Sequence, residues 1–227
     1  GDGLPRGKRW LYDSGLHVPL IIRWPGKIEP GQVNDQLISS IDFGPTVLSM
    51  ANVPKPYHMQ GIPFLGSQKG EEREMVFSAR DRFDESYDMV RSVRNKQFRY
   101  VRNYYPNKAK IIWVPFRNRS PIMKELLRLH AEEQLTPAQA DWFETTRDPE
   151  ELFDCVADPH QLNNLAYNPE YQHILQKMRN ELDKWQDETN DLGRYSEEEL
   201  VAMWYPNGER PTTSPVHFIP NTEGNRN

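Results

Sequence analysis

The chain has 227 residues, 37 % of them hydrophobic, and no stretch of it approaches the ~18 uninterrupted apolar residues of a membrane-spanning helix. Its 28 lysines and arginines stand against 33 aspartates and glutamates, and this formal charge of −5, with scattered basic residues, argues against a nucleic-acid-binding protein. The single cysteine, Cys155, excludes an internal disulfide and a cysteine-rich zinc site. The composition is that of a globular protein.

The chain opens with two short apolar segments and a helical pattern. Residues 18–24 form an apolar run that is rich in β-branched residues and closed by a Pro-Gly pair, which predicts a buried strand of a parallel sheet. Residues 37–41 predict a second short strand, and Asp42 offers an N-cap to the helix that follows. The apolar face of this helix carries Phe43, Val47, Leu48 and Ala51. The order strand, strand, helix favours an α/β body.

Glycines and prolines interrupt residues 54–73, and we place a domain boundary inside this stretch. Beyond it, four segments rich in β-branched and aromatic residues predict a small antiparallel sheet, with Asn95 opening a hairpin connection. These segments are 75–79, 88–93, 98–103 and 151–154.

Three helices are predicted around this sheet. Ser120 caps the first, a capping box from Thr136 to Gln139 starts the second, and Asn168 precedes the third. The third helix has one apolar stripe, which we expect to cover a face of the sheet. The stripe comprises Tyr171, Ile174, Leu175, Met178, Leu182 and Trp185. Residues 192–227 lose this periodicity and predict an extended tail.

Several motifs, taken in order, are similar to those of a known family. Residues 7–20 read GKRWLYDSGLHVPL, residues 41–48 read IDFGPTVL, and residues 151–154 read ELFD. Their order and spacing resemble the sulfatase family, in which the first motif runs from an active-site lysine into a core strand. Residues 89–93 (MVRSV) and 184–191 (KWQDETND) are most similar to the heparan N-sulfatase, or sulfamidase, type.

The resemblance implies that the chain is the C-terminal part of an alkaline-phosphatase-like α/β sulfatase. Residues 1–66 would be the remnant of the large catalytic α/β domain and its mixed sheet. Residues 67–191 would be a small α+β domain whose antiparallel sheet packs on a helix, and residues 192–227 an extended tail. Asp13 and His17 depart from the common sulfatase pattern, and we interpret both as structural, with His17 hydrogen-bonded and at least half-buried.

The resemblance also implies a formylglycine nucleophile and a calcium ion, which together hydrolyse sulfate esters or sulfamates on a glycan. Formylglycine is made from a Cys or Ser that has Pro two residues later and Arg four residues later, and neither Cys155 nor any serine of the sequence fits. The chain starts without methionine or a signal-peptide pattern, and we expect it to begin within a longer protein. We therefore expect the nucleophile and the calcium ligands upstream of Gly1, read Asp2 as a loop residue, expect no metal ligand here, and expect this fragment alone to be inactive.

One catalytic residue is carried over from the family. Lys8 would bind the substrate sulfate as a point cation. The run Arg80-Asp81-Arg82 follows the segment 75–79 and would lie in a strand-end loop, where charged groups suit a sulfated, carboxylated sugar. The alternative for this run is an exposed ion-pair cluster with the acidic residues that follow it.

Three further groups allow two interpretations each. His58 belongs to a loop that runs near the pocket in sulfatases, and the alternative is an ordinary surface histidine. Five aromatic residues between 100 and 116 are dense enough for a sugar-stacking platform, although we favour a core role. Four arginines between 91 and 102 would form a basic stripe for a polyanionic glycan if they shared one face of the sheet.

The expected partners are a sulfated glycan and the N-terminal part of the same protein, with no nucleic acid and no membrane span. The resemblance implies export to a periplasm, a lysosome or the cell exterior. Two other functions stay open. One is a phosphate or phosphonate ester hydrolase of the same superfamily, because phosphate and sulfate are both tetrahedral oxyanions; the other is a sugar-binding domain without catalysis.

Overall fold

The computed structural model describes residues 5–84 and 86–209, which fall into two units divided between Glu188 and Thr189. The first unit contains, in chain order, α1 (Asp13–Leu16), α2 (Phe43–Met50), β1 (Val76–Phe83), β2 (Ser86–Arg94), β3 (Phe98–Asn103), α3 (Pro115–Asn118), α4 (Pro121–Ala131), α5 (Pro137–Ala140), β4 (Glu150–Asp154) and α6 (Gln172–Glu188). Short 3-10 turns cover Ser40–Asp42, Asp141–Phe143 and Pro169–Tyr171. The domain boundary placed at residue 66 stays a prediction.

The predicted antiparallel sheet is confirmed, with its strands in the order β1-β2-β3-β4. Asn95 closes the β2–β3 hairpin as expected, because its side-chain oxygen accepts hydrogen bonds from the backbone of Gln97 at 2.9 Å and of Phe98 at 2.6 Å. Chain neighbours pair throughout, so hairpins and one longer connection that holds α3, α4 and α5 account for the whole topology.

One face of the sheet packs on α6. Side chains alternate between the two faces of a strand, and every second residue of β3, starting at Phe98, points towards this helix. The predicted apolar stripe of α6 is confirmed, since Leu175, Met178 and Leu182 are buried against the sheet and Trp185 stacks on Phe77 with ring centroids 5.2 Å apart.

The other face of the sheet is covered by residues 5–16. Leu11 is buried with Val90, Val101 and Phe153, and Tyr12 and Leu16 pack against the same cluster. The sheet is thus sandwiched between a long helix and a short N-terminal segment that ends in α1.

No strand forms in residues 18–24, so the prediction of a buried strand there is wrong for the structure described. Ile21 is 92 % exposed, and Val18 and Leu20 are exposed as well. A buried strand needs at least one neighbouring strand to pair with and layers that cover its two faces, and the described residues provide neither for residues 18–24. Residues 37–41 differ in a similar way, because only Leu37 forms a β-bridge, to Arg73, before the chain turns into the 3-10 helix.

Helix α2 is confirmed, but its predicted apolar face is not buried. Phe43 and Val47 are exposed, whereas Thr46 and Ser49 are buried. Their hydroxyl oxygens accept hydrogen bonds from the backbone of residues 64 and 68, so a returning loop packs on the polar side of the helix. Gly61 permits this approach, since a Cβ at that position would lie 2.0 Å from the carbonyl oxygen of Ile41.

The second unit corrects the expectation of an extended tail over residues 192–227. A 3-10 turn at Leu192–Arg194 precedes α7 (Glu197–Trp204), which begins with a capping box between Ser196 and Glu199. The rest of the predicted tail, from residue 210 onward, lies outside the described residues. None of the helices within residues 5–84 and 86–209 combines the length and the apolar character that a membrane crossing requires.

Candidate active site

Lys8 lies on a turn that is closed by a hydrogen bond from the Trp10 amide to the Gly7 carbonyl, at 3.1 Å. Its side chain is exposed, and it forms no hydrogen bond or ion pair with any residue that the structure describes. The turn packs tightly on α1, and residue 15 must be a glycine to allow this. The Cβ of any other residue there would lie 2.4 Å from the carbonyl oxygen of Gly7. Arg9 adopts a left-handed backbone conformation, with φ at 80°, which is a strained geometry for a residue with a side chain.

The turn is anchored on β1 by Arg80. The guanidinium group of Arg80 lies over the buried Trp10 ring, 4.5 Å from its centroid, and donates to the Arg9 carbonyl at 3.4 Å. Trp10 in turn contacts Trp142 edge-on, with ring centroids 4.4 Å apart. Arg80 therefore fixes the backbone on the C-terminal side of Lys8.

Arg80 is itself held in a buried ionic cluster. Its guanidinium group forms an ion pair with Asp88, and Arg147 binds the same carboxylate, with one contact at 2.9 Å. Asp88 is fully buried and both arginines are less than a tenth exposed. Burial lowers the pKa of Arg80, and the charge of Asp88 opposes that shift. Among the described contacts, one carboxylate is thus shared between two guanidinium groups.

The run Arg80-Asp81-Arg82 does not form the predicted strand-end loop, because β1 continues to Phe83. Its first two residues point to opposite faces of the sheet. Arg80 faces Trp10, while Asp81 pairs with Arg91 at 2.7 Å, and Arg82 is exposed, with one guanidinium nitrogen 3.4 Å from the Asp84 carbonyl. The three side chains do not converge on one pocket, and their role in substrate binding stays a prediction.

A second, half-buried ionic cluster holds α1 on the sheet. Asp13 accepts hydrogen bonds from Arg94 at 2.9 Å and from Arg99 at 2.6 Å. Burial raises the pKa of the Asp13 carboxyl, but the bonds and charges of the two arginines outweigh it and leave the pKa below its ordinary value. The structural interpretation of Asp13 agrees with these contacts. His17, in contrast, is exposed, so the expectation that it is half-buried is wrong.

The predicted basic stripe does not form on one face. Arg94 and Arg99 point towards Asp13, whereas Arg102 points to the α6 side and pairs with Asp183 at 2.5 Å. Strand alternation accounts for the division, because residues 99 and 102 are an odd number of positions apart on β3.

Tyr12 makes a third polar contact between the N-terminal segment and the sheet. Its hydroxyl donates to Glu151 at 2.8 Å, and the Asn103 amide donates to the other carboxylate oxygen at 2.8 Å. Burial raises the pKa of Glu151, and the two hydrogen bonds only partly oppose that shift. Burial, followed by the charge of Glu151, likewise raises the pKa of Tyr12.

His58 is not brought near this turn by any contact that the structure describes. It is exposed beside Tyr57, with ring centroids 5.5 Å apart, on a loop that Lys55 stabilises by donating to the carbonyls of Met59 and Gly61 at 2.9 and 3.1 Å. Its predicted role in substrate binding stays a prediction.

Two spaces adjoin the Lys8 turn. One is a cavity of about 10 Å³ lined by Trp10, Arg80 and Trp142, which holds no more than a single water molecule. The other is an open groove of about 440 Å³ lined by Arg9, Asp84, Pro115, Phe116 and Arg119, which we call the Phe116 groove. Of these two spaces, the Phe116 groove has the volume of a small-molecule site.

The aromatic cluster between residues 100 and 116 is divided between core and surface. Tyr100 is fully buried, as the core interpretation predicts. Trp113 is 65 % exposed and Phe116 is 76 % exposed. Sequence reasoning did not separate the two groups, although the exposed pair lies beyond the end of β3 at Asn103, with Phe116 in the short helix α3.

The described residues do not fit a calcium site. Within residues 5–84 and 86–209, no three His, Cys, Asp or Glu side chains come together in a group that could hold a metal ion. Cys155 is buried, its sulfur accepts a hydrogen bond from the Gln161 amide at 3.1 Å, and burial raises the pKa of its thiol. These properties are those of an inert core cysteine.

Comparisons with known proteins agree with the sulfatase resemblance. The family model for the C-terminal region of N-sulphoglucosamine sulphohydrolase matches residues 6–134. The chain is 46 % identical over 215 residues to an ulvan-active sulfatase of Formosa agariphila, covering 94 % of this chain and 36 % of that protein. It is 31 % identical over 209 residues to N-sulphoglucosamine sulphohydrolase of Homo sapiens, covering 84 % of this chain and 40 % of that protein.

The fold agrees as well. The solved structure of a 2-O GAG sulfatase matches with a TM-score of 0.51 at 21 % identity, covering 75 % of this chain and 29 % of that one. The chain thus spans well under half the length of the sulfatases it matches. It belongs to the sulfatase family, in which it corresponds to the C-terminal region.

Proposed function

We propose that the intact protein is a sulfatase that hydrolyses sulfate esters or sulfamates on a glycan, and that Lys8 binds the sulfate group. The observation that carries this proposal is the state of Lys8. Its ammonium group is exposed and without a partner among the described residues, although the turn around it is packed and ion-paired. A compact cation that is free to meet a tetrahedral anion is what the chemistry needs.

The rigidity around Lys8 supports a catalytic role. Stabilisation of charge in a transition state is most effective when the stabilising groups are already in place. Gly7 is buried on one side of Lys8, and Arg80 bonds the carbonyl of Arg9 on the other. The lysine backbone therefore needs little reorganisation when substrate arrives, and its long side chain supplies the adjustment.

We propose that the formylglycine and the calcium ion come from parts of the protein outside these 227 residues. The sequence lacks the modification motif, and the described residues hold no candidate metal group. The exposed apolar run around Ile21 supports the same idea, because such a surface is normally covered by other protein. On this proposal the chain alone is inactive.

The names of two relatives support the substrate class that we propose. One is described as active on ulvan and another as a sulphohydrolase of N-sulphoglucosamine, so a sulfated glycan is the substrate that we propose for the intact protein. Sulfated polysaccharides are found outside the cell or in a degradative compartment, and we therefore propose that the protein is exported.

The test is release of inorganic sulfate by the intact protein. We expect sulfate from ulvan oligosaccharides or from N-sulfated glucosamine, and little phosphate from matched phosphate esters. Faster release of phosphate than of sulfate would favour the phosphate ester hydrolase. Sugar binding without release of either anion would favour the non-catalytic sugar-binding domain.

A further inference from the structure

We propose that the Phe116 groove binds a second, anionic sugar unit of the substrate, next to the unit whose sulfate is removed. This proposal rests on the proposed function and adds a site to it. The chemical class of the ligand is a sugar that carries a carboxylate or a further sulfate group.

The position of the groove is the first argument. Arg9 lines it and directly follows Lys8 in the chain, so the two α-carbons lie within about 4 Å of one another. A glycan whose sulfate meets the Lys8 ammonium group would extend its next sugar along the surface that Arg9 begins. The cavity lined by Trp10 and Trp142, at about 10 Å³, cannot take that sugar, whereas the groove of about 440 Å³ can.

The aromatic ring is the second argument. Phe116 is 76 % exposed, although it follows closely on Val114, which is completely buried and anchors the segment. Arg117 also ties the segment down by donating to the Ile112 carbonyl. When the apolar face of a sugar ring covers an exposed aromatic ring, apolar surface is removed from water and binding is stabilised. The fixed backbone of this segment means that little ordering is needed first.

The charges are the third argument. The groove contains the guanidinium groups of Arg9 and Arg119 and one carboxylate, that of Asp84, which pairs with Arg9. The side chain of Arg119 forms no ion pair with any described residue. Among the described residues that line the groove, two guanidinium groups therefore stand against one carboxylate, and a guanidinium group binds carboxylate or sulfate oxygens in a bidentate manner. The carboxylate of Asp84 can accept hydrogen bonds from sugar hydroxyl groups in addition to its contact with Arg9.

The experiment compares substrates of different length with the intact enzyme. Phe116→Ala and Arg119→Ala should each lower kcat/KM about tenfold for an anionic disaccharide or longer oligosaccharide, as the loss of one ring contact or one charged bond implies. Neither should change kcat/KM for the sulfated monosaccharide, which does not reach the groove. Oligosaccharides with a uronate and with a second sulfate are tested separately, to identify the anion.

Matched controls are available in the same region. Trp113→Ala removes an aromatic side chain that is 65 % exposed but does not line the groove, and Lys124→Ala removes an exposed charge on α4. Both should leave the kinetics with either substrate unchanged. A loss in kcat/KM that is equal for long and short substrates, or no loss with the long ones, would overturn the proposal.

Calorimetric titration separates this proposal from the proposed function. An unsulfated oligouronate should bind the intact protein, and Arg119→Glu should abolish that binding, whether or not sulfate is ever released. If the intact protein releases no sulfate but still binds the oligouronate through Arg119, the groove proposal is supported and the sulfatase proposal is wrong. If the oligouronate and a sulfated oligosaccharide both bind equally well to the wild type and to Arg119→Glu, the groove proposal is wrong.

Discussion

The two faces of the sheet are covered in different ways. The face against α6 is built mainly from apolar side chains, among them Val93, Leu152 and Leu182, which are completely buried, although the buried Arg91 also lies on this side. The face under residues 5–16 has a smaller apolar cluster and three polar contacts, of which those centred on Asp88 and Glu151 are buried and that centred on Asp13 is half-buried.

The two faces contribute differently to the stability of the fold and to the position of the N-terminal segment. Apolar packing stabilises in proportion to the area buried and tolerates small shifts. In a buried ion pair, the free-energy cost of removing the charges from water offsets much of the electrostatic attraction. Such a pair nevertheless requires defined distances and directions between its two groups. We infer that the α6 face supplies most of the stability, whereas the ionic face determines where the Lys8 turn lies.

The largest expected effect comes from removing the shared carboxylate of the ionic face. Asp88→Ala leaves Arg80 and Arg147 buried without their anion, and we expect a loss of about 3–5 kcal/mol in the free energy of unfolding. Urea denaturation of the intact protein measures it. Asp183→Ala on the α6 side is the control, because its partly exposed ion pair with Arg102 should contribute less than about 1 kcal/mol. Equal losses in the two variants would remove the distinction between the faces.

A core substitution on the α6 face should destabilise without moving the turn. Leu182→Ala should cost about 2–5 kcal/mol, through lost burial and the cavity that remains. At a temperature where the variant is folded, its kcat and KM should equal those of the wild type, because Leu182 belongs to the apolar cluster on the α6 face and not to the cluster that contains Leu11. A clear fall in kcat of folded Leu182→Ala would contradict the division of roles.

Titration of Glu151 should make the free energy of unfolding depend on pH. Its pKa is raised in the folded state by burial, so the protonated form favours folding, and that contribution is lost as the pH rises from the unfolded pKa through the folded one. Glu151→Gln keeps the acceptor for Tyr12 and removes the titration.

The stability of Glu151→Gln relative to the wild type should therefore increase as the pH is raised from about 4 across the range in which both proteins are folded, by about 1.4 kcal/mol for each pH unit by which burial raises the pKa of Glu151. Denaturation curves across that range provide the measurement. A difference between the two proteins that stays constant with pH would show that Glu151 does not titrate in this way.

The α6 face could be predicted from sequence because its signals are local. The spacing of Leu175, Met178 and Leu182 defines a helical stripe, and Asn95 marks a hairpin within four residues. Each pattern is complete within one element, so no knowledge of distant residues is needed.

The ionic face could not be predicted because its contacts are distant in sequence. Asp88 and Arg147 are 59 positions apart, and Asp13 and Arg99 are 86 positions apart. Charged residues at 80–82 therefore suggested the end of a strand, although their partners allow the strand to continue. In the same way, the apolar run at 18–24 predicts burial but does not say against what, and the described residues leave it exposed.

The most direct test of the sulfatase proposal is the turnover of the Lys8→Ala variant of the intact protein. We expect kcat for sulfate release to fall at least ~10²-fold, as the loss of one preorganised charge contact implies. Lys177→Ala, which removes an exposed lysine on α6, should leave kcat unchanged. Near-normal turnover in Lys8→Ala would contradict the assignment of Lys8 to the substrate sulfate.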